Sequence, residues 1–503
     1  MEDRNESQSL YNSNKADNRS STNAQTNKEP WGKLLTLVGY ATTIGSAVPV
    51  GYCIGCINSP ASYMRAWCNE TLIERYDYHI TSGGLSILWS AIVSIFLVGG
   101  AIGSLGGAGA ADKFGRKGCF MISGLLFALG AILFMLCRVA SSVEMLLVGR
   151  FLVGLASGLT TASLPMYLTE CAPLALRGTL GVFCSVGVTG GVVVGQVFNL
   201  RDIFGTPDLW HYGLSFYIVL VIACYLPSYY FPESPKWLYV VKQDRDAAKI
   251  ELRRLRGANH MTQIQKELED MEVEASATMQ TSSFLAVLRD PSLSLPLIIV
   301  CAFQGGQQLS GINAIFYYSV SIFQKAGLSE TNAEWANLGA GCLNLMTSFL
   351  SPYLMANVNR RPLMQFSCFA CAVFLLAFAF IRHFIEFFSW FAIAGIVCIF
   401  CYIFFYQIGV GPIPFFIGSE IFEVAPRPIG MAMGSLSSWS CNFIVGMTFL
   451  SLQNLWGAFV FIPFSIACML LCLLTRFYLP ETRGRDPSEV APLMSKGFRS
   501  KVR

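Results

Sequence analysis

The sequence is poor in charged residues, and this scarcity decides its broad class. Asp, Glu, Lys and Arg make up 13% of the 503 residues, whereas hydrophobic residues make up 53%. Soluble domains carry roughly 25% charged residues. The composition therefore excludes a soluble multidomain protein, a disordered chain and a coiled coil, and it predicts a polytopic membrane protein.

Sequence signatures of catalysis and of nucleic-acid binding are also lacking. The chain has no GxxxxGK[ST] loop for nucleotide phosphates, so no ATP-driven pump is indicated. The four His residues are scattered and show neither zinc-site spacing nor pairing with a nucleophile. A net charge of +4 is too small to indicate a nucleic-acid partner. We therefore expect no enzymatic activity, no cofactor and no bound metal.

Long apolar runs are what the sequence does contain. We count twelve of them, and each has about the ~20 residues that cross a bilayer as a helix. They predict an all-α membrane protein with twelve transmembrane helices. The corresponding parts are a disordered N-terminal tail (1–32), a first six-helix half (33–231), a helical loop (232–293), a second six-helix half (294–479) and a C-terminal tail (480–503).

The distribution of Lys and Arg predicts the orientation of the chain in the membrane. These residues concentrate in the loops after even-numbered spans, as at 113–117. Cytosolic loops carry such an excess, so we expect both termini and the 232–293 loop in the cytosol. The sequon at Asn69 then falls in the first external loop, where we expect glycosylation. The sequons at Asn5 and Asn18 would remain cytosolic and unmodified.

Charged motifs repeat between the two predicted halves. Glu170 and Arg177 recur as Glu420 and Arg427 with the same separation. Further repeats are Pro-Glu-Ser at 232–234 with Pro-Glu-Thr at 480–482, and the basic pairs Arg116-Lys117 and Arg360-Arg361. Two six-helix halves in parallel duplication are the organisation of a major facilitator transporter.

Uncharged polar residues cluster in four of the predicted spans. They are Gln304, Gln307, Gln308, Asn313, Asn344, Gln407 and Asn442, accompanied by Trp439. Each amide offers hydrogen-bond donors and an acceptor, and an aromatic ring can cover an apolar sugar face. This set is typical of a site for an uncharged polyhydroxyl compound. The alternative is that the amides only join helices through interhelical hydrogen bonds.

The cytosolic charges come in pairs of opposite sign, such as Glu170 with Arg177 and Glu420 with Arg427. One interpretation is ordinary positive-inside topology. The other is a set of ion pairs that bridge the halves while the cytosolic side is closed, because alternating access needs bonds that exist in only one state. We favour the second interpretation.

Several stretches together resemble the sugar porter family, and within it the animal facilitative glucose transporters. The resemblance extends over about residues 33–490. It rests on Asp112-Lys-Phe-Gly-Arg-Lys117, Gly149-Arg150-Phe151, Pro165-Met-Tyr167, Pro232-Glu-Ser-Pro-Lys-Trp237, Gln307-Gln-Leu-Ser-Gly-Ile-Asn313, Gly411-Pro-Ile-Pro414 and Pro480-Glu-Thr-Arg-Gly-Arg485.

The resemblance implies passive carriage of a hexose, with D-glucose the first expectation, across the plasma membrane by alternating access. The implied sugar-site residues are Gln307, Gln308, Ile312, Asn313, Asn344, Asn442, Trp439, Gln304, Ser185, Gln407 and Phe415. Tyr317 and Tyr318 would close the external side. The implied cytosolic gate consists of Arg116, Glu170, Arg177, Glu233, Arg360, Arg361, Glu420 and Arg427.

Some positions depart from the glucose-carrier pattern. Ser185, Gln407, Phe415 and Ser438 stand where those carriers have Gln, Glu, Trp and Asn. Gln304-Gly305-Gly306 replaces a Gln-Leu-Ser triplet, and Ala356 replaces a Glu. These departures leave the identity of the hexose open.

Two other functions remain as alternatives. Proton–sugar symporters of the family carry an Asp in the first span, where this chain has Cys53, so proton coupling is the runner-up. A sugar receptor without transport often carries long signalling tails, which the short predicted tails disfavour.

Overall fold

The computed structural model describes residues 32–173, 176–257, 261–278, 284–325, 327–384, 390–422, 426–483, 485, 487–495 and 497–499. The predicted N-terminal tail, with Asn5 and Asn18, lies outside these residues apart from its last position. Every regular element of the described part is a helix. The prediction of an all-α fold is therefore confirmed.

The first half contains six helical elements. The longest of them has 58 residues and turns back at Gly115, whose φ of +80° interrupts the helix, so it passes through the half twice. The elements are α1 (Lys33–Gly55), α2 (Ala61–Tyr76), α3 (Ser82–Val139), α4 (Val143–Cys171), α5 (Arg177–Phe198) and α6 (Trp210–Tyr230).

The loop between the halves is helical, as predicted. Its small core is formed by Leu238, Ala248, Leu252 and Ile264. Arg256 pairs with a glutamate of the next helix and also donates to the Cys171 carbonyl (2.8 Å), so the loop is tied to the end of α4. The helices are α7 (Pro235–Val240), α8 (Arg245–Arg256), α9 (Met261–Thr278) and α10 (Phe284–Arg289).

The second half contains two broken helices. α11 is interrupted at Gly311, where φ is +88° and a Cβ atom would lie 2.7 Å from Cδ2 of Phe464. α14 is interrupted between Ile408 and Ile413. The elements are α11 (Pro291–Lys325), α12 (Glu330–Asn357), α13 (Arg360–His383), α14 (Phe391–Ile421), α15 (Arg427–Trp456), α16 (Ile462–Tyr478) and α17 (Pro487–Met494).

Nine stretches of the described residues are long and apolar enough to cross a membrane. One of them, Ile429–Tyr478, has 50 residues, which is more than twice the ~20 that one crossing requires. α12 is not among the nine, and α5 contributes only the shorter apolar helix Phe183–Phe198. The protein is therefore a multi-pass membrane protein, and the number of twelve spans stays a prediction.

The bundle has two ends, which we name by their sequence features. The motif end carries Arg116 and Arg360 and the loop helices. The sequon end carries α2, in which Asn69 is half-buried. Helices of the first half approach closely along small residues: a Cβ at Gly154 of α4 would lie 2.1 Å from the Phe96 carbonyl oxygen of α3. Such close approach is expected of small residues at helix interfaces.

Candidate functional site

A chain of side-chain amides begins at the break of α11. Asn313 Nδ2 donates to Gln308 Oε1, and Gln308 Nε2 donates to Gln307 Oε1 at 3.2 Å. Gln308 Nε2 also lies 3.0 Å from the Ser438 hydroxyl of α15. Gln307 Nε2 donates to the carbonyl of Val410, at 3.3 Å, and to that of its neighbour Gly411. Three predicted site residues are thus brought into one connected network.

The broken backbone of α14 supplies the last acceptors of this chain. Carbonyls at a break lose their helical partners and need other donors, because water is scarce inside a membrane. Gln307 meets this need at Val410 and Gly411. The network therefore joins the two interrupted helices, and interrupted helices are where secondary transporters commonly hold their substrates.

Most of the other predicted polar residues are also buried in the second half. Asn344 of α12, Gln407 of α14 and Asn442 of α15 are buried, as are Gln304 and Ile312 of α11. Within the described residues, Asn344 Oδ1 is buried without a hydrogen-bond partner. A buried acceptor without a partner costs ~1–3 kcal/mol, which a bound hydroxyl group can offset.

The remaining three predicted site residues also lie outside the amide network. Trp439 reaches across to the first half, where a Cβ at Gly100 of α3 would lie 2.3 Å from its ring. The Phe415 side chain is 60% exposed. Ser185 is exposed, and its backbone carbonyl accepts from the Thr189 hydroxyl at 2.8 Å.

The Gln304-Gly305-Gly306 triplet packs α11 against its neighbours. A Cβ at Gly305 would lie 2.5 Å from the Ser437 hydroxyl of α15. A Cβ at Gly306 would lie 2.6 Å from Cδ2 of Leu471 in α16. Side chains at these two positions would need the neighbouring Ser437 and Leu471 side chains to move.

The sequence analysis missed another group of polar residues, and this group joins the two halves. Gln196 Nε2 of α5 donates to Asn337 Oδ1 of α12 at 2.8 Å, and the Ser319 hydroxyl of α11 donates to the same oxygen at 2.6 Å. Asn58, which follows α1, donates to Ser319 at 3.1 Å. Asn337 lies two helical turns before Asn344 on one face of α12, and this spacing could have revealed it.

Tyr317 and Tyr318 are buried in the part of α11 that leads to the sequon end. The Tyr318 hydroxyl donates to the Gly446 carbonyl at 2.9 Å, and its ring stacks on Phe449 at 5.3 Å. The carbonyl of the preceding Phe316 accepts from Asn58 of the first half. The two tyrosines thus lie where the halves meet; closure of this end by them stays a prediction.

Three predicted gate residues of the first half form one compact network at the motif end. Arg116 pairs with Glu170 through two nitrogens at 3.0 and 3.2 Å, and both side chains are 8% exposed. Glu233 accepts from the backbone N–H groups of Arg116, Lys117 and Ser234 at 2.8–3.1 Å. Burial raises the pKa of Glu233, and these N–H groups oppose that rise.

The second half repeats this arrangement. Arg360 pairs with Glu420 at 3.1 Å, and Glu481 accepts from the backbone N–H groups of Arg360 and Arg361 at 2.8 and 3.2 Å. Arg427 donates to the Phe422 carbonyl at 3.2–3.3 Å. The Arg177 side chain lies outside the described part of the chain.

Each network therefore stays within its own half. Among the described ion pairs, the ones that join the two halves lie at the sequon end and all use Arg201. The bridging of the halves by the motif-end residues, in a state closed at that end, stays a prediction.

Arg150 is a fully buried cation in α4. Its guanidinium donates to the carbonyls of Cys53 (2.8 Å) and Ile92 (3.3 Å) and lies 4.8 Å from the Phe96 ring centroid. Oriented carbonyl dipoles and an aromatic face thus surround the charge. Arg150 consequently links α1, α3 and α4.

Residues 38–493 match the sequence profile of the family described as "Sugar (and other) transporter". The chain is a member of this family. It is 37% identical to the facilitated glucose transporter member 1 of solute carrier family 2 from Gallus gallus, over 92% of this chain and 94% of that protein. It is 38% identical to member 3 from Ovis aries, over 89% of this chain and 90% of that protein.

Solved structures show the same fold. The inward-open xylose transporter XylE from E. coli has a TM-score of 0.76 at 20% identity, covering 91% of this chain and 99% of that chain. XylE bound to 6-bromo-6-deoxy-D-glucose has a TM-score of 0.75 at 21% identity, covering 92% of this chain and 100% of that chain. The predicted major facilitator fold is therefore confirmed.

Proposed function

We propose that this sugar transporter carries a hexose, with D-glucose as its first substrate, down its concentration gradient by alternating access. The observation that carries the proposal is the amide network of Asn313, Gln308 and Gln307, which joins the breaks of α11 and α14. Neutral amides can pair with sugar hydroxyls as donors and as acceptors. Support also comes from relatives of 37–38% identity that are named facilitated glucose transporters.

Passive transport is the mechanism that the residues support. Proton coupling needs a group that titrates within the pathway, and the sequence has no Asp or Glu in the middle of any predicted span. Position 53, which carries Asp in symporters of the family, is Cys, and the Arg150 guanidinium binds its carbonyl. Gln407, which cannot titrate, stands in α14. A sugar gradient is then the only driving force.

Uptake into proteoliposomes tests the proposal. Labelled D-glucose should enter until the inside and outside concentrations are equal, L-glucose should not enter specifically, and a protonophore should change neither result. Accumulation above the outside concentration that a protonophore abolishes would establish symport instead. Sugar binding without uptake would indicate a receptor.

One substitution connects the uptake to the amide network. Gln308→Ala should lower the affinity for sugar about ten- to a hundredfold, because it removes the donor and the acceptor of this amide from a site where the sugar is desolvated. Ser465→Ala is the matched control, since this buried serine of α16 only donates to the Ala372 carbonyl. Equal affinities of the two variants would contradict a sugar site at the network.

The identity of the hexose needs a panel of sugars. Ser185, Gln407 and Phe415 are smaller or less polar than their glucose-carrier counterparts, and Phe415 and Ser185 are exposed. We propose glucose as the substrate. Competition of D-fructose and D-galactose with labelled glucose measures how selective the site is for glucose. If unlabelled fructose competes more strongly than unlabelled glucose, fructose and not glucose is the preferred substrate.

We also propose that the protein resides in the plasma membrane with both termini in the cytosol. Asn69 should then carry a glycan in eukaryotic cells, and Asn69→Gln should remove the shift in gel mobility that a glycosidase produces. Asn5→Gln and Asn18→Gln are the controls and should leave that shift unchanged. A glycan on Asn5 would reverse the orientation.

A further inference from the structure

We infer that Arg201, Glu330 and Glu334 form an ion-pair latch that holds the two halves together at the sequon end. Arg201 lies in the connection after α5 and belongs to the first half. Glu330 and Glu334 occupy the first turns of α12 in the second half. Opening of the sequon end separates these elements, so it requires the latch to break.

The geometry makes the guanidinium a bridge between two carboxylates. Arg201 Nε lies 2.8 Å from Glu334 Oε1, and Nη2 of the same group contacts Glu330 Oε1. The Arg201 guanidinium also lies 5.8 Å from the ring centroid of Tyr63 in α2. Different nitrogens of one rigid, planar guanidinium group thus bind the two carboxylates.

Burial makes the latch stronger than an ordinary surface pair. The Glu334 side chain is 4% exposed and that of Arg201 29%, whereas the carboxylate of Glu330 is 43% exposed. Exposed ion pairs contribute little to stability because water and salt screen them. Removal of one partner of a buried pair, by contrast, leaves an uncompensated buried charge. Most of the latch therefore depends on the contact between Arg201 and Glu334.

The latch continues a seam of hydrogen bonds between the halves. Glu330, Glu334 and Asn337 follow each other at helical spacing on one face of α12. Asn337 accepts from Gln196 of the first half at 2.8 Å. The charged end of this seam lies ten to fourteen residues before Asn344 on α12, so we expect it to control access and not to contact the sugar.

The latch belongs to one state of the transporter. At the motif end the described ion pairs lie within single halves in this structure. A bond that exists in only one conformation shifts the equilibrium toward that conformation. Arg201 therefore biases this protein toward the state that is closed at the sequon end.

A distance measurement between the halves tests the latch without any sugar. Spin labels at His79→Cys and Thr331→Cys report the separation at the sequon end, since both positions are exposed and lie in opposite halves. The native cysteines of the described part are buried or partly buried, which limits background labelling. Arg201→Gln should enlarge the long-distance population about three- to tenfold.

The matched control is Arg138→Gln. Arg138 pairs with Asp208 at 2.8 Å at the same end of the bundle, but both residues belong to the first half. This variant should leave the distance distribution unchanged. Equal distributions for Arg201→Gln and Arg138→Gln, whether both shifted or both unshifted, would overturn the latch.

Two further variants keep the test decisive if Arg201→Gln does not fold. Glu330→Gln removes only the exposed partner and should shift the distribution in the same direction by a smaller factor. The exchanged pair Arg201→Glu with Glu334→Arg should return it toward the original distribution. An unshifted distribution in Glu330→Gln together with no recovery in the exchanged pair would overturn the latch.

The transport readout rests on the proposed function, whereas the distances do not. In proteoliposomes, Arg201→Gln should change the ratio of uptake to efflux rates, because it alters the access equilibrium. Lack of any sugar transport with a shifted distance distribution would refute the proposed function and leave the latch intact.

Discussion

The two motif-end networks are built alike but are not equally complete. Arg116 with Glu170 in the first half corresponds to Arg360 with Glu420 in the second. The Ser234 hydroxyl donates to Glu170, and the Thr482 hydroxyl donates to Glu420. Asp112 adds a further pair to Arg116 at 3.3 Å, whereas Ala356 occupies the corresponding position.

In the second half an additional arginine contacts the end of the helix that carries Ala356. The Arg483 guanidinium donates to the carbonyls of Ala356 and Asn357 at 2.7 and 2.6 Å, at the end of α12. Free carbonyls at a helix C-terminus accept such donors readily. Both halves thus share the ion pair and the backbone N–H groups bound to a glutamate, whereas the exposed carboxylate is present only in the first half.

Removing the central carboxylate of each network should have the largest effect. Glu170→Gln should lower the free energy of unfolding by ~3–5 kcal/mol, because it removes the buried counter-charge of Arg116 and leaves only the pair with the exposed Asp112. Glu420→Gln should cost less, ~1–3 kcal/mol, since Glu420 and Arg360 are 22% and 13% exposed. Unfolding in mixed micelles measures both, and a larger loss for Glu420→Gln would contradict the burial argument.

Glu420→Gln also tests the gate hypothesis. If Glu420 helps to close the motif end, its neutral variant should favour the state open at that end and change the ratio of exchange to zero-trans transport. Unchanged exchange and zero-trans kinetics would remove Glu420 from the gate.

The turns that precede the arginines should respond differently to alanine. Gly115 has φ +80°, and a Cβ there would lie 2.3 Å from Glu233 Oε2. Its counterpart Asn359 has a φ of −64°, and its side chain makes no capping hydrogen bond to the helix that follows. Gly115→Ala should therefore destabilise by ~1–3 kcal/mol, and Asn359→Ala by less than ~0.5 kcal/mol. Equal losses in a thermal unfolding experiment would show that strain at Gly115 is unimportant.

Restoring the missing carboxylate should have the smallest effect. Ala356→Asp places an acid four residues before Arg360, as Asp112 stands before Arg116, and should stabilise the protein by ~0.3–0.5 kcal/mol. Asp112 is 63% exposed, which limits the gain. Ala356→Asn is the control; a gain of the same size from Asn would attribute the effect to hydrogen bonding and not to charge.

The sequence alone determined the membrane-embedded helical fold and the family. Hydrophobic runs must be buried in lipid as helices because backbone groups cannot remain unpaired there. The repeated motifs around Glu170 and Glu420 indicated the duplication, and the amides of residues 307–313 indicated a polar site. These features are local in the chain, so one sequence displays them directly.

Only the tertiary structure decided how distant residues pair. It placed the charged motifs in separate networks, joined Gln307 to the broken backbone of α14, and revealed the seam between Gln196 and Asn337. Arg201 and Glu334 are remote in sequence, and nothing in their spacing predicts a contact. Such pairs form because the helices that carry them pack side by side, and packing depends on the whole bundle and on which end of it is closed.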